Sequence, residues 1–412
     1  MAKIDVRGGR AQVRSIWCAV FCTLNMSVVC AEDSPLFLSM SQTLTRDTNL
    51  LRDDTNRRTD YLSTTTVTAG LDKAYGRQNY RLSAAASKNH YRENSQYNND
   101  GYSVSADINS EVADKFSVSV GGAASRFLPN FENLTNRALR NVQTNRQYQL
   151  DARYGLFGKL SVNASLGHSE VAYSIADAEN KQSDTTLLGL RYSPTDLLNF
   201  GVSVSKTDTS IPNRVLVGVS SIGEDVQRTS VALNSSWVVT GFSRLYGSLA
   251  MTNERHPADS RRDFKGVTGS ASWAYTPGGK MSYAASWVRD TSNEGGQTLG
   301  KNINADSVYS TSNRLNNTLT GSARWQATAK VAVNAVVTYA RYQEDSGLGS
   351  SSVVTSTSEN GRYKGYSLGV AYQPLRALGL GCDALRYDRT KSRFSLGYSG
   401  NTLACRASLS ID

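Results

Sequence analysis

The chain is 412 residues long and carries 45 Lys and Arg against 35 Asp and Glu, a net charge of +10. That length would hold two or three ordinary soluble domains, but Ser, Thr, Asn and 33 Gly are plentiful while Phe (10) and Pro (7) are scarce, which argues against a large conventional core. The modest basic excess in a chain with export features points to anionic glycans or lipid phosphates as partners and away from nucleic acid.

The export features come first. Lys3, Arg7, Arg10 and Arg14 precede an apolar segment from about Ile16, and Val29 and Ala31 stand where signal peptidase cleaves. Residues 1–31 read as a secretory signal and 32–412 as the mature chain. An inner-membrane anchor is the alternative, weakened by the short segment and by Asn25; a lipoprotein reading through Cys30 suffers from Val29 where a small residue is wanted. No later stretch approaches the ~20 apolar residues of a membrane helix. An exported chain in a membrane must then be a closed β-barrel, the other way to satisfy every backbone group in lipid.

From residue 36 onward, period-2 segments recur about every 20 residues, roughly 18 in all, each near the ~10 residues that a tilted membrane strand needs. The expectation is an all-β fold, a transmembrane antiparallel up-and-down barrel of about 18 strands, with 16 as the alternative count. Phe116, Val118 and Val120 alternate with Ser117 and Ser119; Leu198, Phe200, Val202 and Val204 alternate with Asn199, Gly201 and Ser203; Met281, Tyr283, Ala285 and Trp287 alternate with Ser282 and Ser286. One face is apolar and the other small and polar, as lipid outside and water inside require. Soluble sandwiches and propellers also alternate, but with shorter strands and no regular change of loop length.

Connections alternate between short ("KAYGRQ", "EVADK", "GLFGK", "SPTDLL", "VVTGF", "TPGGK", "QATAK", "QPLRAL") and long ("NLLRDDTNRRTD", "LPNFENLTNRALRNVQTN", "TSIPNRVLVGVSSIGED", "TSNEGGQTLGKNINADSVYS"). That matches short periplasmic turns and long extracellular loops, with both termini periplasmic. Tyr154, Tyr192, Trp237, Tyr275, Trp325 and Tyr372 end strands at short turns on the apolar parity, as an interfacial girdle would. The segments 128–142 and 293–312 are long enough to fold inward as plugs.

Charges sort onto the two faces. On the apolar parity, Lys88, Arg126, Lys206, Arg289 and Arg341 lie at strand ends away from the short turns, with Lys265 and Lys364 as weaker members. They form a candidate belt against lipopolysaccharide phosphates, or else ordinary snorkelling cations. On the polar parity, Arg81, Arg153, Arg191, Arg244 and Arg324 lie near short turns. They form a candidate basic ring at the periplasmic mouth, unless carboxylates such as Asp151 pair with them. Cys382 and Cys405 would face each other across a hairpin centred near Arg393, and a disulfide suits an oxidising periplasm.

Catalysis finds little footing. His90, His168 and His256 lack metal-ligand spacing and read as surface or interfacial. "GYSLG" at 365–369 has the form of a nucleophile motif around Ser367, but strand alternation runs straight through it, without the turn and helix that such an elbow needs. No enzyme activity and no cofactor are expected.

Several stretches resemble the EpsL-type exopolysaccharide-biosynthesis outer-membrane proteins associated with exosortase systems. The likeness is carried by "SQTLTRDTNLLR" at 41, "KAYGRQ" and "YNNDGY" within 71–109, and the closing "LGLGCDALRYDR" and "TLACRASLSID". It implies an outer-membrane barrel taking part in export of an extracellular polysaccharide beside periplasmic or inner-membrane export proteins, with no catalytic residues to transfer. A general diffusion porin and a plugged docking barrel are the alternatives. The ending "SLSID" lacks the terminal aromatic usual in bacterial barrels.

Overall fold

The computed structural model describes residues 34–112, 115–131, 139–155, 158–217, 220–257, 260–294, 309–350, 353–390 and 397–411; the expected signal, residues 1–31, lies outside them. Eighteen strands fill the described chain. They are β1 (Leu36–Asp47), β2 (Asp60–Tyr75), β3 (Gln78–Tyr91), β4 (Asn99–Val112), β5 (Phe116–Phe127) and β6 (Gln143–Tyr154). There follow β7 (Leu160–Tyr173), β8 (Lys181–Thr195), β9 (Leu198–Val217), β10 (Ser220–Thr240), β11 (Ser243–Arg255) and β12 (Phe264–Tyr275). The last six are β13 (Met281–Glu294), β14 (Tyr309–Gln326), β15 (Val331–Ser350), β16 (Val353–Tyr372), β17 (Leu378–Arg389) and β18 (Tyr398–Ile411).

Each strand pairs antiparallel with its sequence neighbours, and β1 pairs with β18 from Leu38↔Ile411 to Asp47↔Thr402. The sheet is therefore a closed barrel without edges, the condition for crossing hydrocarbon with strands. All eight short connections of the sequence fall between an even strand and the next odd one. At the β2–β3 turn, Gly76 takes the left-handed backbone (φ 58°) that its place in "AYGRQ" requires. One expected long loop is not a loop: "TSIPNRVLVGVSSIGED" continues β9 to Val217 and begins β10 at Ser220. Its Ile211, Val215 and Ile222 keep the β-branched character that extends a ladder instead of releasing it.

The outer wall is apolar. Leu44, Leu188, Leu233, Met251, Leu319 and Leu368 stand exposed on it, and so do girdle residues Tyr154, Tyr192, Trp237, Trp325 and Tyr372. Tyr275 joins the girdle by stacking on Trp273 (5.7 Å) and Tyr283 (6.3 Å). A soluble protein could not leave so continuous an apolar surface bare; lipid covers it.

At the long-loop end, three hairpins share one construction that the sequence reading did not find. The backbone N–H groups of Tyr91, Tyr173 and His256 donate to the side-chain oxygens of Asn98 (2.7 Å), Asn180 (2.6 Å) and Asp263 (2.7 Å), seven residues on in each case. A 3-10 turn lies inside each loop, at Ser95–Tyr97, Asp177–Glu179 and Ser260–Arg262. The motif recurs every four strands. A preceding residue braces each loop: Asp60 accepts from Glu93 N (2.9 Å) and Asn94 N (3.1 Å), and Asn141 accepts from Ile175 N (3.0 Å) and Ala176 N (3.3 Å). In the third copy Glu224 receives the His256 ring at 2.9 Å.

His256 is thus no surface histidine, contrary to the sequence expectation. It takes the inward position that Tyr91 and Tyr173 hold in the other copies, and is 1% exposed. Its second nitrogen meets Glu254 at 3.2 Å, while the Arg262 guanidinium donates to Glu224. His90 and His168 do lie on the outer face, His168 bound to Asp184 at 2.7 Å.

Burial favours the neutral His256 ring and Arg262 opposes its charge, but hydrogen bonds to Glu224 and Glu254 outweigh both and hold its pKa above the ordinary value. A raised folded pKa contributes stability that is complete below the unfolded value, about 6.5, and is lost as pH rises through the folded one. Hydrogen exchange over 254–264, corrected for intrinsic rates between pH 6 and 9.5, is expected to show protection falling on the alkaline side. In His256→Gln protection is expected to be lower and flat with pH; a wild-type hairpin with flat protection would disprove the assignment.

Candidate functional site in the barrel lumen

The side chains of the inner wall are polar because alternate positions of every strand face away from lipid. Cross-strand hydrogen bonds link them into ladders: Ser183 with Thr209 (2.8 Å), Thr185 with Thr207 (3.0 Å), and Ser230 through Thr252 to Thr268 (2.9 and 2.7 Å). These groups make the inward face of those strands hydrophilic.

The five arginines expected at the short-turn mouth all lie on the inward parity, but they do not form a uniform ring. Arg81 lies 3.4 Å from Asp72, and both side chains are well exposed, at 59% and 64%. Arg153 donates to Ser161 at 3.4 Å. Asp107, Glu111, Asp151 and Asp383 share this arc from β17 to β6, and Asp151 accepts from Gln149 at 2.8 Å. Arg191 faces Ser161 and Gly201 across its ladders, and Arg324 faces Ser282 and Asn334. Arg244 borders a recess formed with Tyr246, Ser272, Ala284 and Ser322. Among the described residues, the inward face from β8 to β14 carries these three arginines and no carboxylate in the short-turn half. One wall is basic and the opposite wall mixed but acid-rich.

Towards the long-loop end the inward side chains are buried. Leu50, from the β1–β2 connection, packs with Tyr91, Tyr97 and Phe131, and with Leu62 and Leu128 at the margin. Phe131 and Tyr97 rings lie 4.5 Å apart. The described part of the 128–142 segment therefore folds against the mouth, while 132–138 and most of 293–312 lie outside the described residues.

A second knot joins β1, β17 and β18. Asp47 accepts from the Tyr387 hydroxyl (2.8 Å), Arg52 (2.8 Å) and Asn49 N (2.9 Å). Arg52 is in the left-handed backbone region, at φ 54°, unusual for a residue with a side chain. Its guanidinium, 4.3 Å from the Tyr387 ring centre, and its bond to Asp47 offset that strain. Beside it Arg389 donates to the Tyr342 hydroxyl at 2.9 Å, and the Tyr342 ring lies over Gly361 on the next strand. None of these partners was marked by spacing in the sequence: Asp47 and Arg52 meet Tyr387 when the barrel closes, and Tyr342, Gly361 and Arg389 meet once β15, β16 and β17 pair.

The belt positions also prove unequal. Lys88 and Arg126 are exposed on the outer wall; Lys206 is bonded to Asp208 at 2.8 Å; Arg289 donates to Val267 O (3.0 Å) and Asn317 (3.2 Å). Arg341 stands directly opposite Arg362. Cys382 and Cys405 are opposed on the outer face and form a disulfide with Cα atoms 4.1 Å apart. It joins the last hairpin next to the closing seam. Ser367 lies in mid-strand within β16, opposite Val336 and Leu385, with no turn or helix after it.

The site is the inner wall of the barrel, with exposed charges at one end and packed loops at the other. No family model and no curated protein matches the chain. Among solved structures it is similar to the outer-membrane protein OpdK of Pseudomonas aeruginosa, at 12% identity over 91% of this chain and 98% of that one, with a TM-score of 0.47. OccK5 (OpdH) of the same organism matches at 14% over 92% and 99% (0.44), and its siderophore receptor PirA at 11% over 93% and 81% (0.44). No TM-score among these reaches 0.5, so the functional reading rests on this chain's own residues.

The Gly361 seat gives a direct check on the knot. A Cβ there would run into the Tyr342 ring, which is fully buried. Gly361→Ala is expected to expel the ring from beside Arg389 and to destabilise the barrel by about 1–3 kcal/mol, the usual cost of overpacking. Urea unfolding from lipid vesicles, followed by tryptophan fluorescence, measures this; an unchanged midpoint would mean that the ring is not held there.

Proposed function

We propose that this protein is an outer-membrane diffusion channel that passes small polar solutes and favours anions, with its short turns in the periplasm. The observation that carries the reading is the solvent exposure of inward charges in the short-turn half, above all Arg81 and Asp72. Exposed charge on an inner wall needs water in the lumen. The acid-free arc of Arg191, Arg244 and Arg324 then biases permeation towards anions, as basic pore linings do. The mechanism is passive: a hydrophilic path, an off-centre field, and a gradient as the driving force.

A finer reading is that the cargo is an extracellular polysaccharide, delivered by periplasmic or inner-membrane partners. It is supported by the EpsL-like stretches and by a wall rich in hydroxyl, amide and guanidinium groups able to bond sugar hydroxyls and uronate carboxylates. The same channel serves both readings, and only the cargo separates them.

Single-channel recording of the refolded barrel in planar bilayers tests both. Discrete steps with anion preference are expected, and neutralising Arg191, Arg244 and Arg324 to Gln together should move the reversal potential towards cation preference. A wild type that inserts without conducting would sink the channel reading, and an unmoved reversal potential would remove the role of the basic arc. An acidic oligosaccharide that blocks the steps would favour the polysaccharide cargo; indifference to it would favour ordinary diffusion.

A further inference from the structure

The outer wall carries a charge arrangement that the barrel alone does not balance. Register places Arg289, Asn317, Arg341 and Arg362 in one row across β13, β14, β15 and β16, all on the outward parity. One step nearer the short turns stands Lys364, opposite Tyr339, and beyond it Arg386, opposite Tyr366. Five cations thus occupy one face of five adjacent strands. Asp388 on β17 stands opposite Lys364. Arg341 and Arg362 face each other directly, where Cβ atoms lie about 5 Å apart and like charges destabilise a sheet.

Depth decides what relieves that repulsion. Immediately below the row are Leu319, Val337, Tyr339, Tyr366 and Leu368, all exposed on the apolar wall. The arginines therefore sit where hydrocarbon gives way to headgroups, the depth at which outward charge costs little. A guanidinium pair held at that height, with further cations on both sides, matches the geometry and charge of phosphate oxygens, which accept two parallel N–H bonds from one arginine.

We infer that Arg341 and Arg362, flanked by Arg289, Lys364 and Arg386, form a binding site for a phosphate-bearing lipid headgroup, that of lipopolysaccharide in the leaflet at the long-loop end. The inference rests on the membrane reading above and narrows the broad belt to one sector. Lys206, already bonded to Asp208, lies outside it.

The test uses the full mature chain folded in nanodiscs of phosphatidylcholine, with and without diphosphorylated lipid A. Retained lipid A is measured by native mass spectrometry and the unfolding midpoint by heat-modifiable mobility. Wild type is expected to retain lipid A, and Arg341→Gln with Arg362→Gln to lose at least about tenfold of that preference, while Lys206→Gln keeps it. Arg362→Gln alone should raise the midpoint in phosphatidylcholine, by removing the opposed charge, and lower it with lipid A present.

If the double variant does not fold, Arg341→Lys with Arg362→Lys supplies the comparison: charge is kept, bidentate bonding is lost, and retention should still fall. Unchanged retention in the folded variant, or a shift of the same sign in both lipids, overturns the site. Full stabilisation of wild type by inorganic phosphate alone overturns the lipid assignment. Failure of wild type to enter any bilayer would count against the membrane reading itself, which separates the two.

Discussion

Everything in this molecule depends on the pairing of β1 with β18. Hydrocarbon offers no water to an unpaired N–H or C=O, so a sheet crossing it must have no edge. Ten residue pairs from Leu38↔Ile411 to Asp47↔Thr402 close that edge, joining parts of the chain that are furthest apart in sequence. The disulfide between Cys382 and Cys405 lies in the adjacent hairpin, and the Asp47–Arg52–Tyr387 knot spans the seam at its long-loop end. The closing contact has the greatest loop-closure cost of any pairing in the sheet, and covalent and charged reinforcement cluster beside it.

Closure then fixes which way each residue faces, and with it the separation of lipid chemistry from water chemistry. Because the side-chain period is two, a slip of one residue would turn Leu233 and Leu249 into the lumen and Asn234 and Ser248 into lipid. Every strand repeats that constraint, so register is specified many times over. Of the two faces, the inward one carries Arg191, Arg244 and Arg324 on the arc from β8 to β14.

The strand count, the eight short turns and the two faces were legible because they are local: periodicity and turn residues need only a few neighbours. The parity of Arg81, Arg153, Arg191, Arg244 and Arg324 was legible for the same reason. Their unequal surroundings were not, since Asp72 beside Arg81 and the acid-free wall around Arg244 depend on which strands adjoin. His256 was misread because an isolated histidine carries no periodic signal; its burial follows from the hairpin that places it where Tyr91 and Tyr173 stand. The seven-residue spacing to Asn98, Asn180 and Asp263 was present in the sequence, but polar loop residues conceal such a repeat unless four-strand units are laid over one another. Arg362 gave no signal because the start of β16, "VVTSTSEN", carries no apolar–polar alternation to set its parity.

The four-strand repeat and the distribution of charge together divide the barrel into two regimes. At the long-loop end, Asp60, Asn141 and Glu224 each tie one hairpin to the next, so loop motion there requires breaking buried bonds of about 1–3 kcal/mol apiece. At the short-turn end, Arg81 and Asp72 are separated by 3.4 Å and largely solvated, so their pairing contributes little and their orientation is cheap to change. In the proposed channel, a solute from the short-turn side would meet adaptable charge first and a fixed rim second. There the adaptable end would set attraction and the rigid end would set size, through separate residues.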